Sequence, residues 1–105
     1  MGVLTKDLDL ESVEADFGEG PVEVFYRRMN MMEIDTIEKA RASGAVEVAF
    51  VTLTTRARTH DGLKLFDAKK DRSKIMRQFD PSEIARVLQV IKEFDAAEVE
   101  AAGNC

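Results

Sequence analysis

Ala45-Val46-Glu47-Val48-Ala49-Phe50-Val51-Thr52-Leu53-Thr54-Thr55-Arg56-Ala57-Arg58-Thr59 is the stretch on which the architecture turns. Its density of Val, Thr and Phe favours a strand by propensity. The spacing disagrees. Val46, Phe50, Leu53 and Ala57 recur at i, i+4, i+7 and i+11, flanked by Ala45, Ala49 and Thr52, while Glu47, Thr55 and Arg58 face away. A strand would put Glu47 on one face with Ala49, Val51 and Leu53. The segment is therefore read as a helix, and the chain as helix-dominated.

Upstream, Val13, Ala15 and Phe17 alternate with Glu14 and Asp16, and Val22, Val24 and Tyr26 alternate with Glu23 and Phe25. Gly18-Glu19-Gly20-Pro21 between them has the chemistry of a reversal, so a β-hairpin is expected with one apolar face down. Two strands do not stand alone, which requires the hairpin to lie on helices. Asn30, with Glu33 three residues later, forms a capping-box pattern that opens a helix with Met31, Ile34, Ile37 and Ala40 inward. Ser43-Gly44 interrupts it. Residues 1–12 read as an acidic lead-in with a turn near Asp7-Leu8-Asp9.

Downstream, His60-Asp61-Gly62 reads as a turn, and Leu63, Leu65 and Phe66 as a short apolar anchor. Asp67 is expected to cap a short basic helix over 68–77, with Ile75, Met76 and Phe79 inward. The last helix is the clearest: Asp80 caps, Pro81 takes the first position, Glu83 closes the box, and Ile84, Val87, Leu88, Ile91 and Phe94 form its stripe. A looser helix continues over 95–102, before a tail of Gly103-Asn104-Cys105. The expected class is α+β: an N-terminal hairpin packed on a helix-dominated domain of about four helices. Residues 1–105 make one domain, with 1–12 and 103–105 as flexible ends.

Charge comes in blocks. Residues 1–23 carry one Lys against seven acids; 24–55 balance at four and four; 56–77 carry eight basic groups against three acids; and 78–105 return to net negative. Solvated surface with internal charge balance explains this pattern, and an electrostatic contact face for a protein partner is the sharper reading. The basic centre raises nucleic-acid binding, but the acidic ends and a pI near 4.9 oppose it.

The residues do not point to an enzyme or a cofactor. His60 and Cys105 are the only histidine and cysteine, too few for a structural zinc site, and no disulfide can form within the chain. Paired acids such as Asp7/Asp9 and Glu98/Glu100 lie in the polar ends. Gly18-Glu19-Gly20 belongs to a turn and not to a phosphate loop. No apolar run approaches a membrane span, and Lys6 breaks a myristoylation pattern. The expected compartment is the cytoplasm. Candidate partner-contact residues are Met29, Met32, Phe66 and Phe79, with Arg72, Lys74 and Arg77 orienting a partner. Met31 and Met76 fit inward faces.

Three parts of the chain carry a family likeness: Val22-Glu23-Val24-Phe25-Tyr26-Arg27, the helix opening at Met32-Glu33, and Asp61-Gly62-Leu63-Lys64-Leu65-Phe66-Asp67 followed by Asp71. With the closing helix and the ending Glu98-Val99-Glu100-Ala101-Ala102-Gly103-Asn104, the sequence resembles small tail assembly chaperones of siphovirus-type phages and prophages. It departs from them at Ser73-Lys74-Ile75, where a Leu is usual, and at Gly103-Asn104, where Lys-Asn is usual. The resemblance implies a host-cytoplasm protein that acts before the tail is finished and is absent from the virion. Its client would be the tape measure protein, a helical rod prone to aggregate until tail tube subunits wrap it, and tube protein is a second implied partner. A longer frameshifted form is common in such families. Self-association stays open. The alternatives are a tail-completion or connector protein retained in the particle, and a small nucleic-acid-binding regulator using 56–77.

Overall fold

The computed structural model describes residues 10–103, with side chains through Ala97. The expectations for residues 1–9 and 104–105, including the turn at Asp7-Leu8-Asp9, lie outside the described residues. Strands β1 (Glu11–Asp16) and β2 (Pro21–Tyr26) are followed by α1 (Met31–Ala40), a 3-10 turn (Arg41–Ser43), α2 (Ala45–Arg56), α3 (Arg72–Gln78) and α4 (Pro81–Gly103). This is the expected α+β arrangement of a hairpin on four helices.

The strands pair antiparallel with Val13 opposite Val24 and Ala15 opposite Val22. Strand β1 starts at Glu11, inside what the sequence suggests is lead-in, because Glu11 pairs across to Tyr26. Period-two alternation buries Ala15, Val24 and Tyr26, with Phe17 just past the strand. The Asp16 carboxylate accepts the N–H groups of Gly18 at 2.8 Å and Gly20 at 3.2 Å, which closes the turn.

The stretch 45–59 is helical through Arg56. Phe50, Leu53 and Ala57 are buried as the spacing predicts, and Val46 at the first turn is exposed. Gly44, at φ 99°, takes a backbone conformation that other residues resist, and this separates α1 from α2. Beyond Arg56 the chain becomes extended. Arg58 exchanges backbone hydrogen bonds with Phe25 at 2.7 and 3.0 Å, and the loop folds back so that Leu65 N–H reaches Ala57 C=O at 3.0 Å. Residues 57–65 therefore lie along the outer edge of β2.

Packing overrides several expectations about inward faces and element bounds. Met31 is 78% exposed and Ile34 is also exposed, because Glu33 is the residue drawn under Arg27 and Arg58. The capping box at Asn30 and Glu33 forms as expected. Thr55 is buried, and Arg58 and Glu47 are half-buried, because each lies against a neighbouring element. Leu63 is exposed at the loop tip, and Met76 is partly exposed. Helix α3 starts at Arg72 and not at Ala68, because Asp67 spends its carboxylate on the N–H groups of Lys69 and Lys70, both at 2.8 Å, and holds 67–71 as a turn.

A further correction concerns Glu83. Its carboxylate does not return to Asp80; it accepts the Asp16 N–H at 3.0 Å, while Arg86 donates to the Glu14 carbonyl at 2.6 Å and to Glu83 itself. Together they satisfy one N–H and one C=O on the outer edge of β1, a role usually left to another strand. The Arg86 hydrogen bond, helped by the Asp16 N–H, holds the Glu83 carboxyl at about 2, against an ordinary 4.5. The folded pKa lies below the unfolded one, so the contribution is complete above about pH 4.5 and is lost as pH falls towards 2. Urea midpoints at pH 6 and pH 3 should fall less for Glu83→Gln than for the parent chain; an unchanged acid sensitivity would refute this role.

Candidate partner-binding groove

The amphipathic faces of α2 and α4 run from a shared starting end, beside α3, towards the Arg56–Asp95 pair. Leu53, Val87 and Ile91 close completely at the centre of the core. Nearer the helix starts the closure is incomplete. Ala49 on α2 and Ala85 on α4 are too short to fill the space between the helices, and a half-open groove of about 310 Å³ remains. Phe50, Leu53 and Phe79 form its floor, Val46 and Met76 its mouth, and Ile84 and Leu88 its far wall. Every lining side chain is apolar.

The rim is charged. Arg72 meets Glu47 through two hydrogen bonds of 2.7 and 3.1 Å, and its guanidinium carbon lies 4.6 Å from the centre of the Phe50 ring. The paired hydrogen bonds hold the Glu47 carboxyl below its usual range and raise the Arg72 guanidinium. This pair fixes the side wall of the groove and is electrically neutral towards a visitor.

No family model, curated protein or solved structure matches the chain.

The groove gathers only two of the seven residues singled out from sequence. Phe79 lines it, but as a core ring stacked on Phe17 at 4.8 Å with planes 5° apart. Arg72 stands on its rim. Phe66 sits edge-on to Phe17 and Phe79, at 6.0 and 5.4 Å, inside that aromatic cluster. Lys74 pairs with Glu19 of the hairpin turn at 2.9 Å, which raises its pKa. Arg77 is exposed. Met29 is half-buried and Met32 is 78% exposed, but both lie at the start of α1. That end is remote from the groove, because α1 runs antiparallel to α2 and its Glu33 reaches Arg58 beyond the far end of α2.

Val46, Ala49, Ala85 and Leu88 were not singled out as contact residues. The available signal was alanine beside the apolar stripes of two helices, which marks a trough only once the helices are known to face each other. The Asp61–Asp71 motif works inward. Gly62 takes φ 83° in the turn, Phe66 packs on the core, and Asp71 accepts the Asp67 N–H at 2.7 Å. Among the described residues, no cluster of His, Cys, Asp and Glu has a geometry that would hold a metal ion. His60 is exposed beside Asp61. No described helix is long and apolar enough to cross a membrane.

Proposed function

We propose that this chain is a phage tail assembly chaperone that binds apolar segments of the tape measure protein until tube subunits replace it. The observation that carries the reading is the open, wholly apolar groove between α2, α3 and α4. It offers nothing to make or break a bond and a place to shelter side chains from water. Its volume lies at the small end of the range for ligand sites, roughly 300–1,000 Å³. That is room for about two leucine-sized side chains, each stabilised by about 1.5–3 kcal/mol on burial.

After the loss of translational and rotational freedom, about 4 kcal/mol or more, a single such site binds more weakly than millimolar. Weak sites suit a chaperone. Many copies along a rod hold it through repeated contacts, and polymerising tube protein displaces them by mass action. The sequence resemblance at 22–27, 32–33 and 61–71 supplies the phage assignment, and the groove supplies the binding mode.

The basic centre favours a protein partner over nucleic acid. Arg56, Arg58, Arg72 and Lys74 are each bound to a carboxylate, on Asp95, Glu33, Glu47 and Glu19 respectively, which disperses the field a polyanion needs. The test is co-expression with a tape measure protein, the long chain this reading names as client. The long chain should be soluble with the parent protein and aggregate without it, and Val46→Asn should reduce the rescue. Solubility that is indifferent to this protein would overturn the reading. Mass spectrometry of finished particles should find the protein absent; its presence would favour the tail-completion alternative.

A further inference from the structure

We infer that α1 is a flap that opens as a unit while the rest of the fold stays closed, with Gly44 as its pivot and Glu33 as its latch. The inference depends neither on the groove nor on the phage assignment. Its first support is how little of α1 is buried. Of its ten residues one, Ala40, is buried, and Glu33 and Ile37 are half-buried; Met31, Met32 and Ile34 are exposed. A helix this short is marginal in water on its own sequence, so packing must hold it. That packing is against α2 and the 3-10 turn.

The second support is what lies at its two ends. The chain leaves α1 through the exposed turn Arg41–Ser43 and reaches α2 at Gly44, whose φ of 99° suits glycine and whose missing side chain faces open space. At the other end Glu33, with its side chain 12% exposed, accepts from Arg58 at 2.6 Å and from Arg27 at 3.4 Å. Arg58 belongs to the body of the fold: its backbone pairs with Phe25, and its guanidinium also donates to the Thr55 and Gly62 carbonyls. A charge-assisted contact to so well anchored a group is a strong tie on a thinly packed helix. Helical spacing puts Val48, Val51 and Thr55 on the side of α2 turned away from the groove. The groove side belongs to α3 and α4, so this side meets α1, and there Thr55 is buried and both valines are half-buried. Opening the flap uncovers that side together with Ile37 and Ala40, a second apolar surface that the closed form hides.

Native-state hydrogen exchange on the whole protein, followed amide by amide by NMR, reads the flap directly. The amides of Ile34 to Ala40 should exchange through one shared opening, faster than those of Leu53, Val87 and Ile91 and with little dependence on added urea. Glu33→Gln keeps the capping-box acceptor and removes the charge, and should speed exchange in α1 by about 10–100-fold. Val87→Ala, at the closed centre of the core, should speed exchange in α4 and leave α1 unmoved, because its cost is common to the closed and open forms. Exchange of α1 with the rate and urea dependence of α4, or a Val87→Ala effect that α1 shares, overturns the flap. Exchange in α1 that is indifferent to Glu33→Gln overturns the latch and the inference with it.

Discussion

Asp95→Ala should destabilise the fold by about 3–5 kcal/mol, because it strands a buried guanidinium. The Arg56 side chain is only 3% exposed and reaches Asp95 through two hydrogen bonds of 2.8 Å, with a third of 2.8 Å to the Arg27 carbonyl. Arginine cannot escape by losing its proton. Asp95 is in a different position, with 28% of its side chain in contact with solvent, so water can replace a lost partner. The two single variants should therefore be unequal. Arg56→Met keeps the aliphatic stem, leaves a partly hydrated carboxylate, and is expected to cost about 1–3 kcal/mol. The double variant Arg56→Met/Asp95→Leu should recover most of the loss, since exchanging a buried pair for apolar packing is often neutral or better. Chemical denaturation of the three variants checks the order. A mild Asp95→Ala effect, equal to that of a surface pair, would refute the account.

The second large effect is expected at Phe79. Truncation to alanine should cost about 3–5 kcal/mol, in line with removal of a buried aromatic. The ring stacks on Phe17, meets Phe66 edge-on, and floors the groove, so its loss opens the hairpin–helix contact and the trough together. Phe66→Ala should cost less, because Phe66 is half-buried. Thermal unfolding of the two variants reads the difference directly. If Phe79→Ala weakened partner binding while leaving stability unchanged, Phe79 would be a contact residue, as sequence reasoning suggests, and the packing account would fail. Val46 is the complementary control. It is 69% exposed, so its replacement by Asn should affect binding and leave stability nearly unchanged.

These two sites show where legibility ends. Phe50, Leu53, Val87 and Ile91 are found in the core by their spacing alone, since periodicity records which side of an element avoids water. Arg56 looks like one more cation in a basic block; its burial depends on Asp95, 39 residues away, and no local pattern encodes that meeting. Glu83 fits a capping box on its own helix, yet the nearer need of the β1 edge takes it. Met31 and Ile34 fit an inward stripe, but Glu33 answers to Arg58 and the helix is turned by that pair. In each case a long-range polar contact outweighs a weak local preference, because an unsatisfied charge near a core costs more than an exposed methionine.

The amino-acid order by itself determined the elements and most of their inward faces: the hairpin from alternation and its glycine turn, the helices from their caps and stripes, and the helical state of 45–56 against its own propensity. These are local matters, settled by side-chain period and backbone preference within a few residues. Tertiary structure alone decided which charges cancel, which edge of the hairpin is closed by Glu83 and Arg86, and that Ala49 and Ala85 face one another across an apolar trough. Those outcomes depend on distances between segments far apart in the chain, and a groove is the space two surfaces leave between them, which neither surface specifies alone.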